Sequence, residues 1–165
     1  MKKNHFILAC TMLALFAVSC KKNDVQEELP AATETSVTAP EWKSLSTWAP
    51  GGGSVISATS SEAAVDAAVA ADGMVLVYAK QGGSAQALPF EEKKNGKSTY
   101  WYYEVSEGSV TVNADGYDME PQAAKDLGFR FFVLSPGQVQ ALEEKGHTRS
   151  SLMDLSYEAA KALLN

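Results

Sequence analysis

The run Met74-Val-Leu-Val-Tyr78-Ala79 constrains the fold more than any other stretch of this chain. It is apolar, β-prone and unbroken. A strand with one wet face alternates apolar and polar residues, so a run without alternation reads as a strand buried on both faces. Phe129-Arg-Phe-Phe-Val-Leu134 is a second strongly apolar strand.

Turn signals divide the rest into short pieces. Asn95-Gly96 is the strongest, because a tight hairpin turn needs residues that tolerate positive φ. The spacing predicts a first hairpin from 42–49 and 54–58, around Gly51-Gly-Gly53. Further strands are predicted over 85–92 (edge-like at Pro89), 98–105 and 109–113, with Glu107-Gly108 as the last turn. Ser60 or Ser61 reads as the N-cap of an Ala-rich helix through Ala71, stopped by Asp72-Gly73. A short helix is predicted over 121–127. Another starts at Ser135, with Pro136 in its first turn, and runs to near Gly146. A last amphipathic helix spans 156–164, with Tyr157, Ala160 and Leu164 on one face. The helix-then-strand order at 61–79 and 121–134 also permits a parallel α/β sheet, but the hairpin signals between these units are stronger. The expected class is α+β: a mainly antiparallel sheet or sandwich-like domain with about three peripheral helices.

The first twenty residues are of another kind. Lys2 and Lys3 precede an apolar stretch from Phe6 to Val18, of signal-peptide length and too short for a comfortable permanent span. Ala17-Val18-Ser19-Cys20 resembles a lipobox, at which Cys20 is acylated and becomes the new N-terminus. Leu is usual where Ala17 stands. Ile7-Leu-Ala-Cys10 is a closer letter match, but it leaves too short an apolar region before its Cys. Residues 1–19 are therefore expected to be removed, and two or three acyl chains on Cys20 to anchor the protein. Residues 20–40 contain few large apolar side chains and read as a disordered tether. The globular domain then covers 41–165, a length suited to one core.

This division settles much of the chemistry. The chain has 2 cysteines, Cys10 and Cys20, and both precede the domain, which excludes disulfides and thiolate sites there. Of the 2 histidines only His147 lies in the domain, too few for a His-rich zinc site. The formal net charge is -6, and losing Lys2 and Lys3 makes the mature chain more acidic still. Nucleic acid, which needs clustered Lys and Arg, is an unsuitable partner.

The aromatic strand Tyr100-Trp-Tyr-Tyr103 is the first candidate site. Tyr100 and Tyr102 share one face and Trp101 and Tyr103 the other. One face enters the core, and the other displays two aromatics on which a sugar ring or partner surface can stack. Trp101, Tyr103 and Trp42 are the expected ligand-binding residues. The competing reading is that these side chains only stabilise the sheet.

Asn113-Ala-Asp115-Gly-Tyr-Asp118-Met-Glu120 gathers oxygen ligands but lacks the spacing of a calcium loop, and reads as an acidic turn. His147 stands beside a polar loop with no Gly-x-Ser-x-Gly in the chain, and reads as a solvated histidine. Gly51-Gly-Gly53 lacks the Lys of a phosphate loop. Glu91-Glu92 and Glu143-Glu144 are sequence neighbours whose side chains diverge, so neither is a ready carboxylate dyad. No catalytic residue, metal site or cofactor is expected, and the chain is not read as an enzyme.

The lipobox, Val75-Leu-Val-Tyr78, Ala87-Leu-Pro89, Tyr100 to Tyr103, Phe129-Arg-Phe-Phe-Val133 and Asp154-Leu-Ser-Tyr-Glu-Ala-Ala-Lys161 together resemble small uncharacterised cell-envelope lipoproteins of Bacteroidota. The likeness covers about residues 41–165. It implies a β-rich envelope domain at the outer membrane, periplasmic or surface-facing. It implies no activity and carries over no functional residue. The expected function is a lipid-anchored, non-catalytic binding module for a glycan or an envelope protein. The alternative is a structural or assembly subunit of an outer-membrane or surface complex.

Overall fold

The computed structural model describes residues 41–116 and 124–164. Its strands are β1 (Lys43–Ser44), β2 (Ala49–Gly52), β3 (Val55–Ser61), β4 (Met74–Gln81), β5 (Ser84–Ala87), β6 (Phe90–Lys94), β7 (Lys97–Ser106), β8 (Ser109–Gly116) and β9 (Gly128–Leu134). Its helices are α1 (Ala67–Asp72), α2 (Pro136–Glu144), α3 (Arg149–Met153) and α4 (Tyr157–Leu164). The strands form two antiparallel sheets, ordered β1-β9-β4-β5 and β2-β3-β8-β7-β6. The α+β, sandwich-like class expected from the sequence is the class observed.

The two apolar runs meet at the centre of the first sheet. Val75 pairs with Val133, Leu76 with Phe132, Val77 with Phe131 and Ala79 with Phe129. Val75, Val77, Phe129 and Phe131 face the second sheet, where Ile56, Ala58, Trp101, Val110, Val112 and Ala114 meet them. Leu76, Tyr78, Phe132 and Leu134 face the opposite way, against Val139, Leu142, Leu152, Ala160 and Leu164 of the helices. The first sheet is therefore a middle layer between helices and the second sheet. That position is why β4 has no polar alternation.

Local signals fix most element ends. Asn95 and Gly96 take φ of 53° and 75°, and the strands on either side pair from Lys94↔Lys97 onward. Ser135 accepts from the Gln138 N–H, while the Gln138 side chain accepts from the Ser135 N–H, closing a capping box with Pro136 in the first turn.

Four expectations are corrected. Helix α1 is capped by Asp66 and not by Ser60 or Ser61, because β3 continues to Ser61 in register with β8. The strand expected over 85–92 is two strands in different sheets, β5 and β6, with a cis Leu88–Pro89 peptide between them. The first hairpin is β2 with β3 alone, since β1 joins the other sheet beside β9. Thr148 to Ser151, expected as a loop, starts α3, with Thr148 as its N-cap. Of the helix expected over 121–127, residues 121–123 lie outside the described residues and 124–127 form a turn closed by the Leu127 N–H on the Ala124 carbonyl. The signal segment, Cys20 and the tether lie outside the described residues.

Candidate functional site

β7 lies between β8 and β6, and its inward parity is the reverse of the one that would display Trp101. Trp101 is 2% exposed, packed between the sheets. Its Cα partners are Ala114 on β8 and Phe90 on β6. The small Ala114 leaves room for the indole, which stacks on Phe90 at 6.2 Å and meets Trp48 edge-on at 5.9 Å. Tyr103 shares this face. Its hydroxyl donates to the Val75 carbonyl at 2.6 Å, tying one sheet to the other, and burial raises its pKa. Trp101 is a core residue and Tyr103 is half-buried against the core, so their expected role as a displayed platform is corrected.

Trp42 lies on the other side of the first sheet. Its ring covers Gly128, where an added Cβ would stand 3.6 Å from the indole. The Arg130 guanidinium sits 4.7 Å from the Trp42 ring centre and 5.2 Å from that of Tyr157, and also bonds the Tyr157 hydroxyl. Lys80 approaches the same indole at 5.5 Å. This cluster pins the start of the domain to α4. Trp42, too, is therefore not brought together with Trp101 and Tyr103.

The displayed aromatics are Tyr100 and Tyr102. Their rings stack at 5.7 Å with a 23° tilt, and Tyr100 is 48% exposed. They stand on the outer face of the second sheet in cross-strand rows. Tyr102 lies beside Asn113 and then Ser57. Tyr100 lies between Glu91 and Asp115. Glu104 lies beside Thr111 and then Thr59, whose hydroxyls are 3.0 Å apart. The Ser54 hydroxyl donates to Asp115. The Ser98 hydroxyl and then the Lys93 ammonium hold the Glu91 carboxyl below its ordinary range.

Asn113 is central to this face and only 6% exposed, yet its Nδ2 has no hydrogen-bond partner among the described residues. The face thus combines two ring faces with hydroxyls, carboxylates and an amide. Apolar rings stack on the C–H faces of sugars, and the polar groups match sugar hydroxyls.

Three of the four sheet edges among the described residues are blunted. β1 is two residues long. β2 carries Pro50 and an irregular register, and β6 reads Phe-Glu-Glu-Lys-Lys. Short, kinked or charged edges resist strand addition. Of the other sequence candidates, Asn113 and Asp115 lie on β8, and 117–120 lie outside the described residues. His147 follows α2, its N–H donating to the Leu142 carbonyl.

The chain matches no protein-family model, no curated protein and no solved structure.

Proposed function

We propose that this is a non-catalytic glycan-binding module, held at the cell envelope by an acylated Cys20 and a tether over residues 20–40. The observation that carries the reading is the Tyr100–Tyr102 stack, with Tyr100 exposed and Tyr102 half-buried, on an otherwise polar sheet face. Core aromatics need burial to contribute. An outward pair led by the exposed Tyr100 gains little for folding and is suited to stacking. The lipobox at Ala17-Val-Ser-Cys20 and the polar segment after it support the envelope location. The blunted edges at β1, β2 and β6 favour binding over assembly by strand pairing.

The test is affinity electrophoresis of the full chain against a panel of polysaccharides, both neutral and charged. At least one should retard it. Tyr100→Ala or Tyr102→Ala should weaken that binding about tenfold, the scale of one lost ring contact. Unchanged retardation in both variants would remove the sheet face as the site. Cys20→Ala should move the protein from the membrane to the soluble fraction.

A further inference from the structure

A cleft lies on the other side of β6, between the sheets. β5 and β6 are the edge strands on the same side of the two sheets, and the chain steps from one to the other through Leu88 and Pro89. Leu88 is buried at this crossing and its N–H donates to the Val77 carbonyl. The two strands supply the two arms of the cleft. Gln86 and Ser84 line one arm, and Phe90 and Glu92 the other. Ala79, Gln81 and Leu127 complete a cleft of about 180 Å³. That is below the ~300 Å³ at which drug-sized sites begin, so the occupant is a single ring or its equivalent.

The lining is specific in charge. Glu92 is half-buried, and no Lys, Arg or His among the described residues pairs with it. Lys93, next in sequence, points to the opposite face and pairs with Glu91 at 3.6 Å. The cleft contains no cation of its own. One unpaired carboxylate in a partly desolvated concavity favours a cationic guest. Two glutamine amides and a serine hydroxyl add donors and acceptors for hydroxyl groups, while Phe90, Ala79 and Leu127 supply apolar contact.

We propose that this cleft binds a small hydroxylated primary amine of the hexosamine class, its ammonium against Glu92 and its hydroxyls on Gln81, Ser84 and Gln86. The site is separate from the tyrosine face, because Glu92 and Glu91 point to opposite sides of β6.

The test is an NMR titration of the full chain with D-glucosamine, using D-glucose and N-acetyl-D-glucosamine as uncharged controls. Glucosamine should shift the side-chain amide signals of Gln81 and Gln86 saturably, with the two neutral sugars about tenfold weaker or worse. Glu92→Gln should abolish that preference. Gln86→Ala, on the other arm, should weaken glucosamine binding without altering β6. Tyr100→Ala should change neither result. Equal affinity for the three sugars, no saturable shift with any of them, or a preference that survives Glu92→Gln would overturn the proposal. Shifts confined to Tyr100 and Tyr102 would also overturn it, since they place the amine on the open face.

Discussion

β4 and β7 are both rich in large side chains, and they sit in different surroundings. In β4 every residue from Val75 to Ala79 is buried, with helices on one side and a sheet on the other. In β7, Trp101 is buried while its neighbour Tyr100 is open to solvent. The middle of β4, from Val75 to Tyr78, is covered on both faces. The outer sheet has one face committed to the core and one that, among the described residues, carries the exposed Tyr100. A strand of four consecutive aromatics thus divides its side chains between stability and display, and its two faces should respond differently to the same mutation.

The largest effects belong to the buried side of that division. Phe132→Ala in the middle layer and Trp101→Ala between the sheets should each cost ~3–5 kcal/mol in urea unfolding, from lost burial plus a cavity. A cost below ~1 kcal/mol for Trp101→Ala would break the comparison, because it would mean that the indole is not a core residue.

Alkaline pH should come next. Burial first, and the nearby Tyr103 second, push the Tyr78 pKa up from 10.0 to about 12. The unfolded chain therefore loses this proton before the folded one does. The associated stability is fully present below pH 10 and is lost as pH rises toward about 12. Tyr78→Phe should flatten the fall over that window in pH-dependent urea unfolding. It should also lose the bond from the Tyr78 hydroxyl to the Leu155 carbonyl.

Tyr103→Phe removes a hydroxyl bond that ties β7 to β4, and should cost ~1 kcal/mol. Tyr100→Ala should change stability by no more than about 0.5 kcal/mol, as an exposed substitution. Its effect should appear in polysaccharide retardation instead. A variant that destabilises as strongly as Trp101→Ala would erase the distinction between the two faces.

Part of this division was legible in the sequence, and the parity of β7 shows how. The two-residue turn at Asn95-Gly96 sets Phe90 opposite Trp101. Phe90 is the only large apolar residue of β6, so the face it shares is the core face. The turn at Glu107-Gly108 agrees, setting Val110, Val112 and Ala114 opposite Val105, Tyr103 and Trp101. Counting across these turns identifies Tyr100 and Tyr102 as the outward pair. The expectation of a displayed Trp101 considered the strand alone, in which both faces are aromatic and the alternation carries no sign. Asp66, likewise, was a capping residue in plain view, but a Ser-rich stretch upstream offered the same chemistry until β8 claimed it as strand.

The sequence by itself determined the antiparallel hairpins, the doubly buried run in β4, the caps of α2 and the absence of thiol chemistry in the domain. Each follows from local φ preferences, side-chain period or simple residue inventory. Only the tertiary structure decided that β5 and β6 part into different sheets, that Trp42 lies across Gly128 beside Arg130, and that a cleft opens beside Glu92. Those outcomes depend on which distant surfaces cover one another, and burial is a property of the pair of surfaces and not of either strand.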